Sequence, residues 1–281
     1  MSAAPLIDVA TLAASLDDAQ LLIVDCRFDL ALPQWGTQQY AAGHIPGAVY
    51  AHLDQDLSSS PTPHSGRHPL PAPAEFAQRL SAWGVDENTR VVAYDQHNGA
   101  FASRLWWLLH ASGHRAVSVL DGGIAAWLQA GLPLQQAIPQ RPALARPRNE
   151  FSGWLDATEV EQALARDQIL LVDARSAERF AGRNETIDPV AGHVPGAVSH
   201  PLTDNLAADG RFLDARELRR RWQVTLRGRR AEEVVSMCGS GITACHNLLA
   251  LEIAGLAGGR LYAGSWSEWI RDPARPVSTV G

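Results

Sequence analysis

The chain has 281 residues, 46% of them hydrophobic, and a formal net charge of −6. That length fits two domains of roughly 100–150 residues each, and an acidic balance without a basic block excludes the electrostatic footprint of a nucleic-acid binder. Every basic residue among the 24 is arginine, which excludes Schiff-base lysine chemistry, and no apolar stretch approaches the roughly 18 residues of a membrane helix.

The opening residues carry Asp8, Asp17 and Asp18 where a secretory leader would be basic and then apolar, so the expected location is the cytoplasm. The next feature is the run LLIVD, residues 21–25, followed by Cys26 and Arg27. Its continuous apolar character predicts a strand buried on both faces. AGHIPGAVYAHLDQDL begins at Ala42, and GRHPLP spans 66–71. A second strand, RVVAYD, ends at Asp95. ASRLWWLLHASG then reads as a helix stopped by Gly113, and DGGIAAW ends at Trp127. Residues 135–150 hold three prolines and no apolar period, which predicts a linker.

Beyond that linker the series starts again. LLVDAR ends at Arg175, AGHVPGAVSHPLTDNL begins at Ala191, VVSMCG follows from Val234, and AGSWSEW ends at Trp269. The four segments keep their order at an offset of roughly 140–150 positions. The expected organisation is a domain over 1–134, a linker over 135–150 and a second copy over 151–281. Strands alternating with helices predict, in each copy, a parallel α/β sheet flanked by helices. Features shared by the copies belong to the fold. His44 and His193 are expected to be hydrogen-bonded turn histidines, Asp25–Arg27 and Asp173–Arg175 ion pairs at a strand end, and Trp127 and Trp269 core anchors.

The copies differ where chemistry would sit. Asp95 ends the VVAY strand of the first, and Cys238 ends VVSM of the second. The segment Cys238-Gly239-Ser240-Gly241-Ile242-Thr243-Ala244 then leads into a helix, placing the sulfur at the carboxyl edge of a sheet, where α/β proteins bind ligands. Curled backbone N–H groups and a helix N-terminus there favour a thiolate or a persulfide anion. The plainer alternative is a packing cysteine in a turn. Three cysteines, with neither C-x-x-C nor H-E-x-x-H, suggest no disulfide framework, metal site or cofactor. Cys245 is expected about two turns into the following helix, as a packing residue.

These segments together resemble the tandem-domain rhodanese superfamily of sulfurtransferases along essentially the whole chain. The loop C-G-S-G-I-T-A resembles that of 3-mercaptopyruvate sulfurtransferases, whereas thiosulfate-using relatives resemble C-R-K-G-V-T. The resemblance implies a small-molecule sulfur donor, a persulfide on Cys238, and delivery to cyanide or to a thiol acceptor such as thioredoxin, with no nucleic-acid or membrane partner. It implies a relay of Ser240, His68 and Asp54 that delivers a proton to the leaving enolate. It implies donor binding by Arg179 together with the loop residues Gly239, Gly241, Ile242 and Thr243. His68 and Asp54 come from the first half, so the implied site draws on both copies. The plainer readings are a loop cap for His68 and a helix cap for Asp54, with His52 and His64 as competing histidines. A second anion-binding arginine of the family has no match: the stretch reads G-R-N-E-T-I-D-P-V, with Arg183 out of register and Glu185 and Asp188 of the wrong charge. Thiosulfate is the alternative donor, and a non-enzymatic sulfur carrier the alternative role. A cysteine phosphatase needs C-x5-R, and the sixth residue after Cys238 is Ala244.

Overall fold

A computed structural model describes residues 3–144 and 150–280. They divide into two compact units. The first comprises Met1–Ser59, Pro71–Ser152 and Ala207–Phe212, and the second Ser60–Leu70, Gly153–Leu206 and Leu213–Gly281. Segment 60–70, which precedes the expected linker, is therefore grouped with the second unit. Of the linker itself, residues 145–149 lie outside the described residues. The part before them runs along the first unit, where Gln135 bridges His44 and Arg141 Nη1 donates to the Leu21 carbonyl at 3.0 Å.

The first unit contains β1 (Leu6–Ile7), α1 (Val9–Ala13), β2 (Leu21–Asp25), α2 (Trp35–Ala42), β3 (Ala48–Tyr50), α3 (Leu53–Asp56), α4 (Pro73–Ala82), β4 (Arg90–Tyr94), α5 (Ala102–Ala111), β5 (Val117–Leu120) and α6 (Gly123–Gln129). The second contains β6 (Trp154–Leu155), α7 (Ala157–Ala165), β7 (Leu170–Asp173), α8 (Ala177–Phe180), β8 (Val198–Ser199), α9 (Ala215–Leu226), β9 (Val234–Met237), α10 (Ala244–Ile253), β10 (Arg260–Tyr262) and α11 (Ser265–Trp269). The sheet orders are β1-β5-β4-β2-β3 and β6-β10-β9-β7-β8, and every strand pair is parallel. The two apolar runs legible in each half form the sheet interior, β2 with β4 and β7 with β9. The other strands are two to four residues long, too short to show a period in the sequence.

Each sheet is covered by helices whose composition follows their depth. All ten residues of α5 are buried, as are eight of the ten in α10, which is why these helices are mostly apolar; the polar side chains they bury include Arg104, whose Nε donates to the Leu57 carbonyl, and Asn247, whose Nδ2 donates to the His200 carbonyl. Trp127 and Trp269 are fully buried in the two cores, and each indole N–H donates to a proline carbonyl, of Pro133 and Pro276. His44 Nδ1 meets the Tyr40 carbonyl at 2.9 Å and His193 Nδ1 that of Phe180 at 2.8 Å. Arg27 donates through Nε and Nη2 to Asp25, and Arg175 does the same to Asp173. All four of these ion-pair residues are buried.

Candidate active site: a thiol cradle in the second unit

Strand β9 ends at Met237, and the loop 238–243 turns directly into α10. The Cys238 thiol is 2% exposed. Its Sγ accepts the Gly241 N–H at 3.1 Å. Gly241 has φ +79°, and a β-carbon there would collide with the Ala263 carbonyl oxygen, so the curl that aims this amide at sulfur requires glycine. Ile242, within the loop, is buried. Thr243 is the N-cap of α10 and makes no side-chain cap bond.

The GSWSEW segment supports the loop from below. Ser265 Oγ accepts the Cys238 N–H at 3.0 Å and donates to the Tyr262 carbonyl at 2.9 Å. The Trp266 and Ser267 N–H groups donate to the carbonyls of Cys238 and Gly239 at 3.0 and 2.9 Å. Ser265 takes φ +54° although it is not glycine. The matching residue of the first unit is Gly123, at φ +56°. The second copy thus holds a side chain in the left-handed region, at a cost of about 1–2 kcal/mol, and gains a hydroxyl that pins the cysteine amide.

The first unit shows what such a loop favours. There Ile124 and Ala125 donate to the carbonyls of Asp95 and Gln96, the same support in the same order. Asp95 is fully buried, and its carboxylate accepts N–H bonds from His97, Gly99, Phe101 and Ala102 at 2.8–3.2 Å. A side-chain carboxyl group, accepting through both oxygens, fills this cradle where the second unit places its thiol.

Ser240 Oγ lies 2.7 Å from His68 Nδ1, with both side chains buried. His68 reaches that position because Gly66 packs on the Gly264 carbonyl with no room for a side chain, and the Arg67 N–H donates to Ser267 Oγ at 3.0 Å. His68 and Ser240 therefore sit within one unit rather than being divided between two. Asp54 belongs to the first unit, exposed in the first turn of α3. The residue capping that helix is His52, whose Nδ1 accepts the Asp54 N–H at 3.2 Å, so Asp54 is not the cap. His64 is exposed in the turn of residues 62–65.

Charge surrounds the loop. Arg179 Nε bonds both Glu185 oxygens at 3.0–3.1 Å, and its Nη2 bonds Asp188 Oδ2 at 3.0 Å. Arg67 Nη1 pairs with Asp188 Oδ1. A β-carbon at Gly239 would lie 2.9 Å from Arg67 Nη2 and 3.5 and 3.6 Å from the two Arg179 Nη atoms. Burial pushes the Asp188 carboxyl up against the pull of Arg67. Burial raises Glu185 too, but the Arg179 hydrogen bonds and the Asp188 and Ile187 amides hold it below the usual range. Glu185 and Asp188, expected to repel an anion, are thus neutralised by arginine, while Arg183 is exposed. Arg67 has no signature in the sequence, because its guanidinium meets the loop only through folding. Cys245 lies in the first turn of α10, not two turns in, because the helix starts at Ala244. Its Sγ contacts the Gly241 carbonyl at 3.4 Å.

Two parallel sheets of identical order, one with a thiol and one with a carboxyl group at the end of the matched strand, define a duplicated α/β protein. A profile of the rhodanese-like domain matches residues 8–130 and 156–272, and the chain belongs to that family. It is 50% identical over 282 residues to a probable 3-mercaptopyruvate sulfurtransferase of Pseudomonas aeruginosa, covering 99% of both chains. It is 38% identical over 260 residues to a putative thiosulfate sulfurtransferase of Mycobacterium tuberculosis, covering 91% of this chain and 89% of the other. The solved structure of the 3-mercaptopyruvate sulfurtransferase from Leishmania major superposes with a TM-score of 0.84 at 36% identity, covering 94% of this chain and 73% of that one.

Proposed function

We propose that the protein moves a sulfur atom from 3-mercaptopyruvate to a thiol or to cyanide by way of a persulfide on Cys238. What carries the reading is the Ser240–His68 hydrogen bond two residues from a thiol that accepts a backbone N–H. The Cys238 thiolate attacks the donor sulfur. An S–S bond forms, the C–S bond breaks, and its electron pair leaves on carbon as the enolate of pyruvate. The proton gained by carbon equals the one lost by the donor thiol, so Ser240 and His68 need only pass it across. The Gly241 amide and the helix terminus stabilise the negative charge that then rests on the outer sulfur. A thiolate such as that of thioredoxin, or cyanide, attacks that sulfur and releases Cys238 as thiolate. Two half-reactions through a covalent intermediate give ping-pong kinetics. Arg179 orients the donor carboxylate, and Gly239, Ile242 and Thr243 shape the loop around it. The part given to Asp54 rests on the family resemblance, and Asp54→Asn tests it separately. The proposed setting is the cytoplasm; among the described residues no helix is long and apolar enough to cross a membrane.

Thiosulfate is the second reading, supported by the arginines above Gly239 and by the Mycobacterium tuberculosis relative. Comparison of kcat/KM for the two donors decides between them. Ser240→Ala is expected to lower mercaptopyruvate turnover by about 10²-fold or more and thiosulfate turnover far less, because sulfite leaves without needing a proton on carbon. Equal losses would refute the relay. Undiminished sulfur release by Cys238→Ser would refute the persulfide.

A further inference from the structure

The loop after Cys238 carries no charged side chain, yet two guanidinium groups converge on it. Position 239 is where they meet: the Arg67 and Arg179 Nη atoms stand 2.9–3.6 Å from where a β-carbon of residue 239 would be. A larger residue at 239 would displace Arg67, so glycine there makes room for arginines supplied from elsewhere in the chain. Asp188 ties them together, accepting from Arg67 on one oxygen and from Arg179 on the other. A further constraint acts on each. Arg67 is fixed through its backbone bond to Ser267, and Arg179 through Glu185. Glu185 is itself held by the Ile187 and Asp188 amides. With these partners engaged, Arg67 keeps Nη2 toward the loop, and its side chain is 30% exposed, open to an incoming ligand.

We propose that Arg67 is a donor-binding residue, which with Arg179 grips the carboxylate of the sulfur donor above Gly239 while Asp188 holds the two guanidinium groups as a fork. The inference rests on the reading of Cys238 as the sulfur-accepting thiol. It explains how a segment with two acidic residues, Glu185 and Asp188, can border an anion site: their charge is spent on aligning arginines. It also assigns the missing second cation to a residue one position before His68, so that donor binding and proton relay share the 66–68 segment.

The test compares alkylation of Cys238 by anionic iodoacetate and neutral iodoacetamide, followed by peptide mass spectrometry on the full-length protein, with steady-state kinetics alongside. Arg67→Met is expected to lower the iodoacetate-to-iodoacetamide rate ratio about tenfold, with the iodoacetamide rate unchanged. It should raise KM for 3-mercaptopyruvate by a similar factor and leave kcat within about threefold. Arg67→Lys should recover part of both effects. An unchanged ratio and KM would overturn the proposal. So would an equal slowing of both reagents, since that reports a displaced loop rather than a lost anion contact. If the ratio falls in Arg67→Met while the parent protein does not turn over mercaptopyruvate, the anion site stands and the donor assignment fails.

Discussion

Replacing Asp95 with alanine empties the first unit's cradle, and the structure gives the magnitude. The carboxylate accepts four backbone N–H bonds. Those from Gly99 and Ala102, at 3.0 and 3.2 Å, are fully buried, while those from His97 and Phe101, at 3.1 and 2.8 Å, are partly exposed. Water can replace the lost acceptor for the partly exposed pair. It cannot reach the buried pair, and each stranded donor costs roughly 1–3 kcal/mol. Asp95→Ala is therefore expected to destabilise the first unit by about 4 kcal/mol. Asp95→Asn should cost about half of that. Its oxygen can serve His97 and Gly99, which share Oδ1, but its amide then faces the Phe101 and Ala102 donors. Guanidinium denaturation followed by tryptophan fluorescence measures both, with Trp106 and Trp107 on the helix that leaves this loop. A loss below about 1 kcal/mol for alanine, or a larger loss for asparagine than for alanine, would refute the account of the cradle as a set of N–H donors that the Asp95 oxygens satisfy.

Three other expectations follow from buried groups. His110 is buried, accepts from Arg115 at 3.1 Å, and is pushed down to about 4 by burial and by the neighbouring Arg115 and His114 charges. The unfolded chain therefore binds more protons between about pH 6.5 and 4, and stability falls as pH falls through that window. From pH 7 to pH 5 the parent should lose about 2 kcal/mol more than His110→Gln, measured by denaturant titration at each pH; equal losses would refute it. Asp173→Asn breaks a buried ion pair and should cost about 3–5 kcal/mol, read as a shift of the denaturation midpoint, with Asp25→Asn giving a similar loss by the internal symmetry. Gly241→Ala forces φ +79° on a residue with a side chain, at about 1–2 kcal/mol for the dihedral alone, and its β-carbon would collide with the Ala263 carbonyl oxygen, so the loop must shift further and the amide moves off Cys238. Turnover should fall by roughly tenfold with the circular dichroism spectrum intact, and full activity would exclude a role for that amide.

The repeat made much of the molecule legible. Compared copy with copy, Asp95 and Cys238 stand at the end of matched strands with different side chains, while the Asp–Arg pairs and turn histidines are shared by both copies and belong to the scaffold. The same comparison did not show that Ser265 stands where the first copy has Gly123. One letter of difference in a tolerated motif reveals neither a positive φ nor the amide it pins.

What the sequence determined by itself is whatever is local or periodic: two apolar strand runs per half, the glycine-bounded helices, and a thiol loop whose curl follows from Gly241. What only the tertiary structure decided is the company that loop keeps. Segment 60–70 is grouped with the second unit, so His68 and Arg67 reach Ser240 and Gly239 across more than 170 residues of chain. No local rule encodes that approach. It is fixed by a close contact of Gly66 with Gly264, by a hydrogen bond to Ser267, and by the balance of two arginines against two buried carboxylates, interactions whose energies exist only once the chain has closed on itself.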